Sequence, residues 1–394
     1  MTRKRAETVG GSSLAIAVLI LAAGACERED ASRGVIFDVE RAADTATSAP
    51  VVSSENFVTV CSDAGAGGYE AFPDVCRMPD GELLCVFYAG FHHVSLPAYG
   101  PKGKLPAEAP NAGRICLARS RDNGRTWSTP TVVVDTPRDD RDPSISRLPD
   151  GTLLVNYFSH RPGRRGGKPY QFVHSALVRS TDGGKTWSQE QPLFAEWACS
   201  SPIRRLSDGR LILPLYYNGT VQAAGGYYGG VSFSTDDGKT WSEPVPIGKD
   251  GPFKLDAEPD IVELPKGELL AGLRPILAFS RSTDGGRTWS TPVKAPFKGH
   301  SIYFLLTRRN VLLLGHRIPG TSLNYSIDAG KTWSENFILA PGAGAYPSMV
   351  ELPDGSIFCV FYQESPQSDI FGARFTVDPA DRKRPIRVIP PDKW

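Results

Sequence analysis

SRDNGRTW at 120–127 is the first of five near-copies of one eight-residue phrase, and this repeat decides the fold. The others are STDGGKTW at 180–187, STDDGKTW at 234–241, STDGGRTW at 282–289 and SIDAGKTW at 326–333. In each copy the Asp side chain can bond turn amides, the glycine accepts a positive φ, and the tryptophan supplies an apolar surface for packing. Each phrase therefore predicts an anchored β-hairpin turn, and a period of about 45–60 residues predicts stacked supersecondary units.

A second repeated phrase precedes the turn phrases and predicts another hairpin, because an apolar run, a Pro/Asp/Gly turn and a second apolar run follow one another. Copies begin at Phe72, Asp142, Ser201, Glu258 and Tyr346, and a degenerate copy begins at His300. Two hairpins make a four-stranded blade, so we predict an all-β fold, a six-bladed β-propeller of four-stranded antiparallel blades. The alternative of separate β-sandwiches does not produce this regular order of phrases.

The sequence has six first hairpins but only five turn phrases, so the last blade lacks its outer strand unless another part of the chain supplies it. After Tyr346 the sequence suggests only one more strand, near 371–377. We expect the segment NFVTVC at 56–61 to supply the missing outer strand. A strand from the other end of the chain would close the ring and protect an otherwise open sheet edge.

The N-terminal sequence predicts export. Basic residues at 3–5 and an apolar stretch at 14–25 are typical of a signal peptide, here 1–25. Cleavage before Cys26 fits a lipoprotein site, which would lipidate Cys26 and attach a periplasmic or cell-surface protein to the membrane. It also fits an ordinary signal-peptidase site, which would give a secreted protein. We predict a flexible tether at 26–54, the propeller at 55–380 and a C-terminal tail at 381–394.

Composition excludes several classes of partner and cofactor. The net charge is +1 without a long charge run, so neither nucleic acid nor an anionic membrane surface is an expected partner. The cysteine spacing suggests no zinc site, and we expect no metal and no cofactor. Cys85 and Cys359 occupy the same place in two repeats, which favours buried strand residues. Disulfide formation in an exported protein is the alternative, and the sequence does not indicate which cysteines would pair.

The hairpin topology predicts which face carries the chemistry. The turn phrases lie opposite the face where each first strand begins, so their aspartates are structural. The first strands of a propeller line its axis, and the residues before their prolines therefore crowd the channel mouth together with the ends of the second strands. The charged and polar members are Arg141, Asp142, His160, Arg161, Ser200, Ser201, Asn218, Glu258, Arg274, His300, Ser301, His316, Arg317, Tyr346, Gln363 and Glu364. Such charge density indicates either an ion-pair network that plugs the channel or a functional site.

The turn phrases resemble the Asp-boxes of the sialidase (neuraminidase) superfamily, and the resemblance extends over about residues 56–378. AEPDIVELPKGELLAGLR at 257–274 resembles the segment that carries a catalytic glutamate and a substrate-binding arginine, which would be Glu258 and Arg274. AYPSMVELPDGSIFCVFYQE at 345–364 resembles the segment with the tyrosine nucleophile, Tyr346, and a trailing glutamate, Glu364. Arg317 lies near the place of another arginine of the carboxylate-binding triad.

This resemblance implies an exo-glycosidase that hydrolyses a terminal acidic sugar, sialic acid or a similar one, from a glycan. Arginines can hold the sugar carboxylate in bidentate fashion. That carboxylate would repel an anionic nucleophile, so a neutral tyrosine takes the place of the usual carboxylate. Free tyrosine has a pKa near ~10, so it needs a base, and Glu258 fits that role.

Two departures from the family pattern keep other functions open. The first arginine of the family belongs to a phrase that reads Ala71-Phe72-Pro73 here, so Ala71 stands in its place, and we consider Arg141 as its substitute. The acid/base aspartate belongs in the loop at 90–113, which has none and offers His92, His93 and Glu108. Asp142 is the alternative proton donor, and we expect His92 and His300 to help bind the substrate. The other functions are a different glycosidase, a lyase acting on uronate-containing polysaccharides, and a non-catalytic glycan-binding lipoprotein.

Overall fold

A computed structural model describes residues 52–98, 104–105, 111–165, 168–218, 228–253, 255, 258–364 and 367–394 of the protein. Within these ranges the chain forms strands and short 3-10 turns without an α-helix, which confirms the all-β prediction. The 3-10 turns are Ser54–Asn56, Pro265–Gly267 and Pro391–Lys393. The same ranges contain no helix long and apolar enough to span a bilayer. The predicted signal peptide, Cys26 and most of the tether lie outside them.

The strands succeed one another as hairpins, as the two repeated phrases predict. In chain order they are β1 Phe57–Cys61, β2 Tyr69–Arg77, β3 Leu83–Gly90, β4 Arg114–Ser120, β5 Thr131–Val134, β6 Asp139–Arg147, β7 Leu153–Arg165, β8 Lys168–Ser180, β9 Gln191–Phe194, β10 Trp197–Ala198, β11 Arg204–Arg205, β12 Leu211–Tyr217 and β13 Gly229–Ser234. They continue with β14 Val245–Ile247, β15 Asp260–Glu263, β16 Leu269–Leu273, β17 Ala278–Ser282, β18 Val293–Lys294, β19 Tyr303–Leu306, β20 Leu312–His316, β21 Thr321–Ser326, β22 Phe337–Ala340, β23 Gly344–Glu351, β24 Ile357–Glu364, β25 Ser368–Val377 and β26 Ile386–Ile389.

Hydrogen bonding arranges these strands in five sheets. Three sheets have four strands each, β6 to β9, β15 to β18 and β19 to β22. A fourth has five, because β10 and β11 both pair with β12. The fifth contains nine strands and unites β2 to β5 with β23 to β26 and β1. Its two halves meet at one parallel pair, Tyr69 with Ser368, whereas the hairpins themselves are antiparallel.

The two ends of the described chain share the outer edge of β25. Strand β1 pairs with residues 370–373, which agrees with the expectation that the N-terminal segment supplies an outer strand. Strand β26 pairs with residues 374–377 and was not expected from the sequence. Phe57 lies opposite Ala373 and Ile389 opposite Arg374, so the two short strands follow one another along the same edge. Part of the segment assigned as a C-terminal tail is therefore a strand.

Side chains also tie the first strand of each hairpin set to the next. One of these bonds, from Val75 to Ser348, joins the two halves of the nine-stranded sheet, and the others cross from one sheet to another. They satisfy polar groups in the interior. They run from Val75 N to Ser348 Oγ (3.0 Å), Ile145 N to Asp74 (2.7 Å), Ser146 Oγ to Ile203 O (2.6 Å), Ser201 Oγ to Pro259 O (2.8 Å), Phe304 N to Asp260 (2.6 Å) and Tyr303 Oη to Met349 O (3.3 Å).

The turn phrases have the structural role that the sequence predicts. In the second copy, Asp182 accepts bonds from the Thr186 amide (3.0 Å) and hydroxyl (2.6 Å) and from Ser180 Oγ (2.7 Å). The bonds from Thr186 and Ser180 hold the pKa of Asp182 well below its usual range. In the first copy, Gly124 has a φ of 94°, and a Cβ there would lie 2.3 Å from the Phe358 ring. The glycine is therefore required by the backbone and by packing.

The cores lie between neighbouring sheets. Cys85 and Cys359 are fully buried strand residues, as predicted, and the described cysteines of the chain are free thiols. Cys85 packs in the cluster that joins the two halves of the nine-stranded sheet, together with Phe87, Phe358 and Val360. This packing holds the start of β2 next to the start of β23, and both positions matter for the site.

Candidate active site

Four residues near the starts of first strands share an unusual backbone conformation with a positive φ. Phe72, Asp142, Ser301 and Tyr346 have φ values of 55°, 50°, 54° and 44°. The pairing register shifts at three of these places, between 71 and 74, between 141 and 144, and between 345 and 348. Bulges of this kind bend a strand and re-aim its side chains. The four residues line one small cavity, so the in-frame positions found in the sequence do converge.

Glu258, Arg274 and Tyr346 are in direct contact, although they come from three different parts of the chain. The Tyr346 hydroxyl donates to Glu258 Oε2 at 3.0 Å and accepts from Arg274 Nη1 at 3.1 Å. Arg274 Nη2 lies 2.6 Å from Glu258 Oε1. Glu258 and Arg274 are only 8% and 9% exposed, so the ion pair is screened little by water. The structure thus brings together the three residues that the resemblance singles out.

The Tyr346 hydroxyl keeps its proton at neutral pH. Burial raises its pKa above the ordinary tyrosine value, and the nearby charges of Glu258 and Asp142 raise it further. Arg274 and Arg317 act in the opposite direction. A reaction at this oxygen therefore needs an acceptor for the proton, and Glu258 Oε2 is already hydrogen-bonded to it.

Asp142 and Arg141 form a buried pair beside this cluster. Arg141 Nε lies 3.3 Å from Asp142 Oδ1, and its Nη1 lies 3.3 Å from Asp139 Oδ2. Burial raises the pKa of Asp142, while Arg141 and Arg274 oppose that rise. A raised pKa favours the protonated acid, which is the state a proton donor requires.

Arg141 also lies against Phe72, the residue next to the departure at Ala71. Its guanidinium carbon lies 5.3 Å from the centroid of the Phe72 ring and 5.8 Å from that of Phe158. The Phe72 ring in turn packs edge-on against Tyr346 at 5.0 Å. A cation from β6 thus lies against Phe72, the residue that follows Ala71, where the resemblance would place the family's first arginine.

His300 and Arg317 lie on the other side of Arg274. His300 Nδ1 is 3.5 Å from Arg274 Nη1 and 3.2 Å from Ser301 Oγ. Burial lowers the pKa of His300 to about 2, with further lowering by Arg274 and Arg317, so the imidazole is neutral. The Arg317 amide donates to the His300 carbonyl at 2.9 Å, and its side chain is partly buried.

Glu364 joins a network that the sequence did not reveal. The Tyr69 hydroxyl donates to Glu364 Oε1 at 3.0 Å and lies 3.1 Å from His93 Nδ1. The side chain of His92 is exposed and packs against Phe91, whereas its carbonyl accepts from Tyr88 at 3.2 Å. Of the two adjacent histidines it is therefore His93 whose ring joins Glu364. Tyr69 precedes the repeated phrase that starts at Phe72, so no repeat marks it.

The described residues hold no group of three or more His, Cys, Asp or Glu side chains arranged to bind a metal. The arrangement instead offers a hydroxyl with an adjacent carboxylate, several guanidinium groups and a buried acid. Such a set can bind an anionic group and move protons next to it.

Comparison with known proteins agrees with this geometry. The family model described as BNR repeat-like domain matches residues 109–359, so the chain belongs to the BNR repeat-like family within the sialidase superfamily. The chain is 28% identical over 346 residues to a sialidase of Micromonospora viridifaciens, which covers 75% of this chain and 50% of that protein. A sialidase of Paraclostridium sordellii is also 28% identical, over 181 residues, or 38% of this chain and 42% of that protein. The chain thus spans about half the length of the curated relatives it matches.

Solved structures share the fold. A protein of unknown function from Dyadobacter fermentans has a TM-score of 0.67 at 22% identity, covering 81% of this chain and 97% of that one. The NanB sialidase of Streptococcus pneumoniae has a TM-score of 0.61 at 16% identity, with 82% and 71% covered. At these identities the likeness concerns the fold alone.

Proposed function

We propose that the protein is an exo-glycosidase of the sialidase type that hydrolyses a terminal acidic sugar from a glycan. The observation that carries the proposal is the contact of the Tyr346 hydroxyl with both Glu258 and Arg274. Its sialidase relatives support the class of reaction. Arg274 and Arg317 bind the sugar carboxylate in this proposal, with Arg141, His300, Glu364 and His92 around them at the rim.

The first half of the reaction forms a covalent intermediate. The Tyr346 oxygen attacks the anomeric carbon and gives its proton to Glu258 Oε2, which is 3.0 Å away in the free protein. The bond from the anomeric carbon to the leaving oxygen breaks, and that oxygen takes a proton from Asp142. The neutral nucleophile avoids the repulsion that a carboxylate would meet at a carbon bearing a carboxylate.

The second half returns the enzyme to its starting state. Water attacks the anomeric carbon and gives up one proton, which passes to solvent, while the bond to the Tyr346 oxygen breaks and Glu258 returns its proton to that oxygen. Asp142 takes a proton from solvent and regains its acid form. The sugar leaves with the new hydroxyl group. Arg274 stabilises the developing negative charge on the tyrosine oxygen through the contact at 3.1 Å.

For the architecture we propose six blades closed into a ring over about 55–380, with β1 as the outer strand of the last blade. The bonds that link each first strand to the next, from Asp74 and Ile145 around to Ser348 and Val75, support this arrangement. The pairing of β1 with β25 supports the contribution of the N-terminus. The tether at 26–54 remains a proposal, whereas the segment expected as a tail at 381–394 contributes β26 to the sheet.

For the location we propose export, on the basis of the leader sequence at 1–25. Lipidation at Cys26 would give a periplasmic or cell-surface lipoprotein held at the membrane, and cleavage without lipidation would give a secreted protein. Both fit a protein that acts on glycans outside the cytoplasm.

A second candidate is another glycosidase or a polysaccharide lyase with the same arginines. It is favoured by Ala71, which lies at the place of the family's first arginine, and by the absence of an aspartate from 90–113. A lyase acting on a uronate would create a double bond that absorbs ultraviolet light, so its product is distinguishable. A non-catalytic protein would bind acidic glycans without forming any product.

The experiment is hydrolysis of a fluorogenic sialoside by the purified protein and its Tyr346→Phe variant. We expect wild-type turnover, a loss of at least about 10³-fold in kcat for the variant, because the attacking oxygen is gone, and unchanged unfolding. Tyr303→Phe is the matched control, since its hydroxyl donates to the Met349 carbonyl instead, and it should stay active. Full activity of Tyr346→Phe would refute the mechanism.

A further inference from the structure

We infer that His93 is the base that accepts the proton of the attacking water in the second half of this reaction. The inference rests on the proposed function and adds a residue to it. The position of His93 in the chain suits the role, because it lies in the segment 90–113, where the family's acid/base aspartate is missing.

The tautomer of His93 follows from the hydrogen bonds of Tyr69. A tyrosine hydroxyl has one proton, and Tyr69 donates it to Glu364 Oε1 at 3.0 Å. The contact of 3.1 Å between the Tyr69 oxygen and His93 Nδ1 must then be donated by the imidazole. With its proton on Nδ1, a neutral His93 has an unprotonated Nε2, and that atom can accept a proton.

His93 is neutral in this environment. The residue is partly open to solvent, yet the protein around its imidazole displaces water, and this loss of hydration lowers the pKa of His93 to about 3. The positive charges of Arg141, Arg317, Arg274 and Lys168 lower it further, in that order. The arginines lower the pKa of His93 because their positive charges lie close to its imidazole. The sugar carboxylate that they would bind is an anion, so it offsets part of their effect on the imidazole.

The ring of His93 is held at the same opening as the nucleophile. Phe72 contacts both residues, with centroid distances of 5.4 Å to His93 and 5.0 Å to Tyr346. Arg141 fixes the backbone, because its Nη1 donates to the His93 carbonyl at 2.5 Å. Tyr69 packs edge-on against the His93 ring at 6.1 Å and orients it.

Each proton and electron pair that moves during hydrolysis of the intermediate is taken up by a residue of the site or by solvent. One proton of water passes to His93 Nε2 while the water oxygen bonds to the anomeric carbon. The electron pair of the broken bond stays on the Tyr346 oxygen, which takes the proton held by Glu258. The imidazolium then releases its proton to solvent, and Asp142 is reprotonated from solvent for the next cycle.

The test compares His93→Gln with the matched control His174→Gln on the fluorogenic sialoside. We expect a burst of one equivalent of fluorophore with His93→Gln, followed by turnover about 10²–10⁴-fold slower than wild type. Azide, which needs no base, should restore turnover. His174→Gln should behave as wild type, because its imidazole contacts Glu190 rather than a residue of the site. Tyr69→Phe should show a smaller loss of the same kind as His93→Gln.

The outcomes separate the two proposals. An inactive wild type would refute the proposed function and the step with it. An active wild type with an unaffected His93→Gln, or with a slow variant that shows neither burst nor azide rescue, would refute only the role of His93. Nitrogen-15 NMR gives a readout besides activity, because we expect the proton of the wild-type imidazole on Nδ1, and a proton on Nε2 would overturn the assignment.

Discussion

Tyr346 has a backbone conformation that residues with side chains generally avoid, with a φ of 44°. Phe72, Asp142 and Ser301 share it, and each such residue costs about 1–3 kcal/mol. All four line the same small cavity. Residues held in this way cluster at functional sites, so the strain fits a role in positioning the hydroxyl of Tyr346 and the carboxyl of Asp142.

The buried carboxyl of Glu70 makes the stability of the folded protein depend on pH. Its side chain is fully buried in β2 and accepts from the Ala64 amide at 3.1 Å. Burial raises the pKa of Glu70 to about 8, whereas the exposed carboxyl of an unfolded chain titrates near its ordinary value of 4.5. The folded state therefore binds the proton more tightly, and stability is lost as the pH rises from about 4.5 through about 8.

We expect Glu70→Gln to be more stable than wild type by a few kcal/mol at pH 9 and nearly equal at pH 5, because each pKa unit corresponds to about 1.4 kcal/mol. The measurement is the free energy of unfolding by denaturant at both pH values. Glu335→Gln, at an exposed position, is the control without a pH-dependent difference. The same advantage for Glu70→Gln at both pH values would contradict the explanation.

At the scale of elements, β25 holds both ends of the described chain. Strands β1 and β26 pair with consecutive halves of it. Beyond β26, Trp394 packs edge-on against Phe358 at 5.7 Å and donates to the Ile389 carbonyl at 2.6 Å. The C-terminal residues thus cover an edge and a core that would otherwise face water.

Removing residues 386–394 should lower the free energy of unfolding by about 3 kcal/mol or more, because an edge strand and a large aromatic side chain are lost. Trp394→Ala should account for part of this loss, since it keeps β26. Denaturant unfolding followed by fluorescence measures both variants. A truncated protein as stable as wild type would show that β26 is not part of the folded domain.

The repeats allow much of the fold and site to be predicted from the sequence. The position of Glu258 and Tyr346 in the same frame of two repeats predicts that they meet, and Arg274 follows from the end of the second strand in its repeat. Tyr69, His93 and β26 could not be predicted in this way. They lie outside the repeated phrases. Tyr69 contacts Glu364, which is 295 positions away, and β26 pairs with β25, the strand before it, without a repeated phrase to mark it.

At the scale of the whole molecule, the sheets bring together residues that are far apart in the chain. Glu258 and Tyr346 are separated by 88 positions, and Tyr69 and Glu364 by 295, yet each pair is hydrogen-bonded. Each first strand is tied to the next, so the mouth is assembled from several sheets at once. A catalytic role for Tyr346 depends on this assembly.

The most direct measurement is the site of covalent labelling by a sialosyl fluoride with a second fluorine beside the anomeric carbon. The fluoride leaves readily, and the second fluorine slows the release of the intermediate. We predict one adduct per chain, located on Tyr346 by peptide mass spectrometry and absent from Tyr346→Phe. Turnover of a sialoside with the label on another residue, or with equal labelling of Tyr346→Phe, would contradict the assignment of the nucleophile.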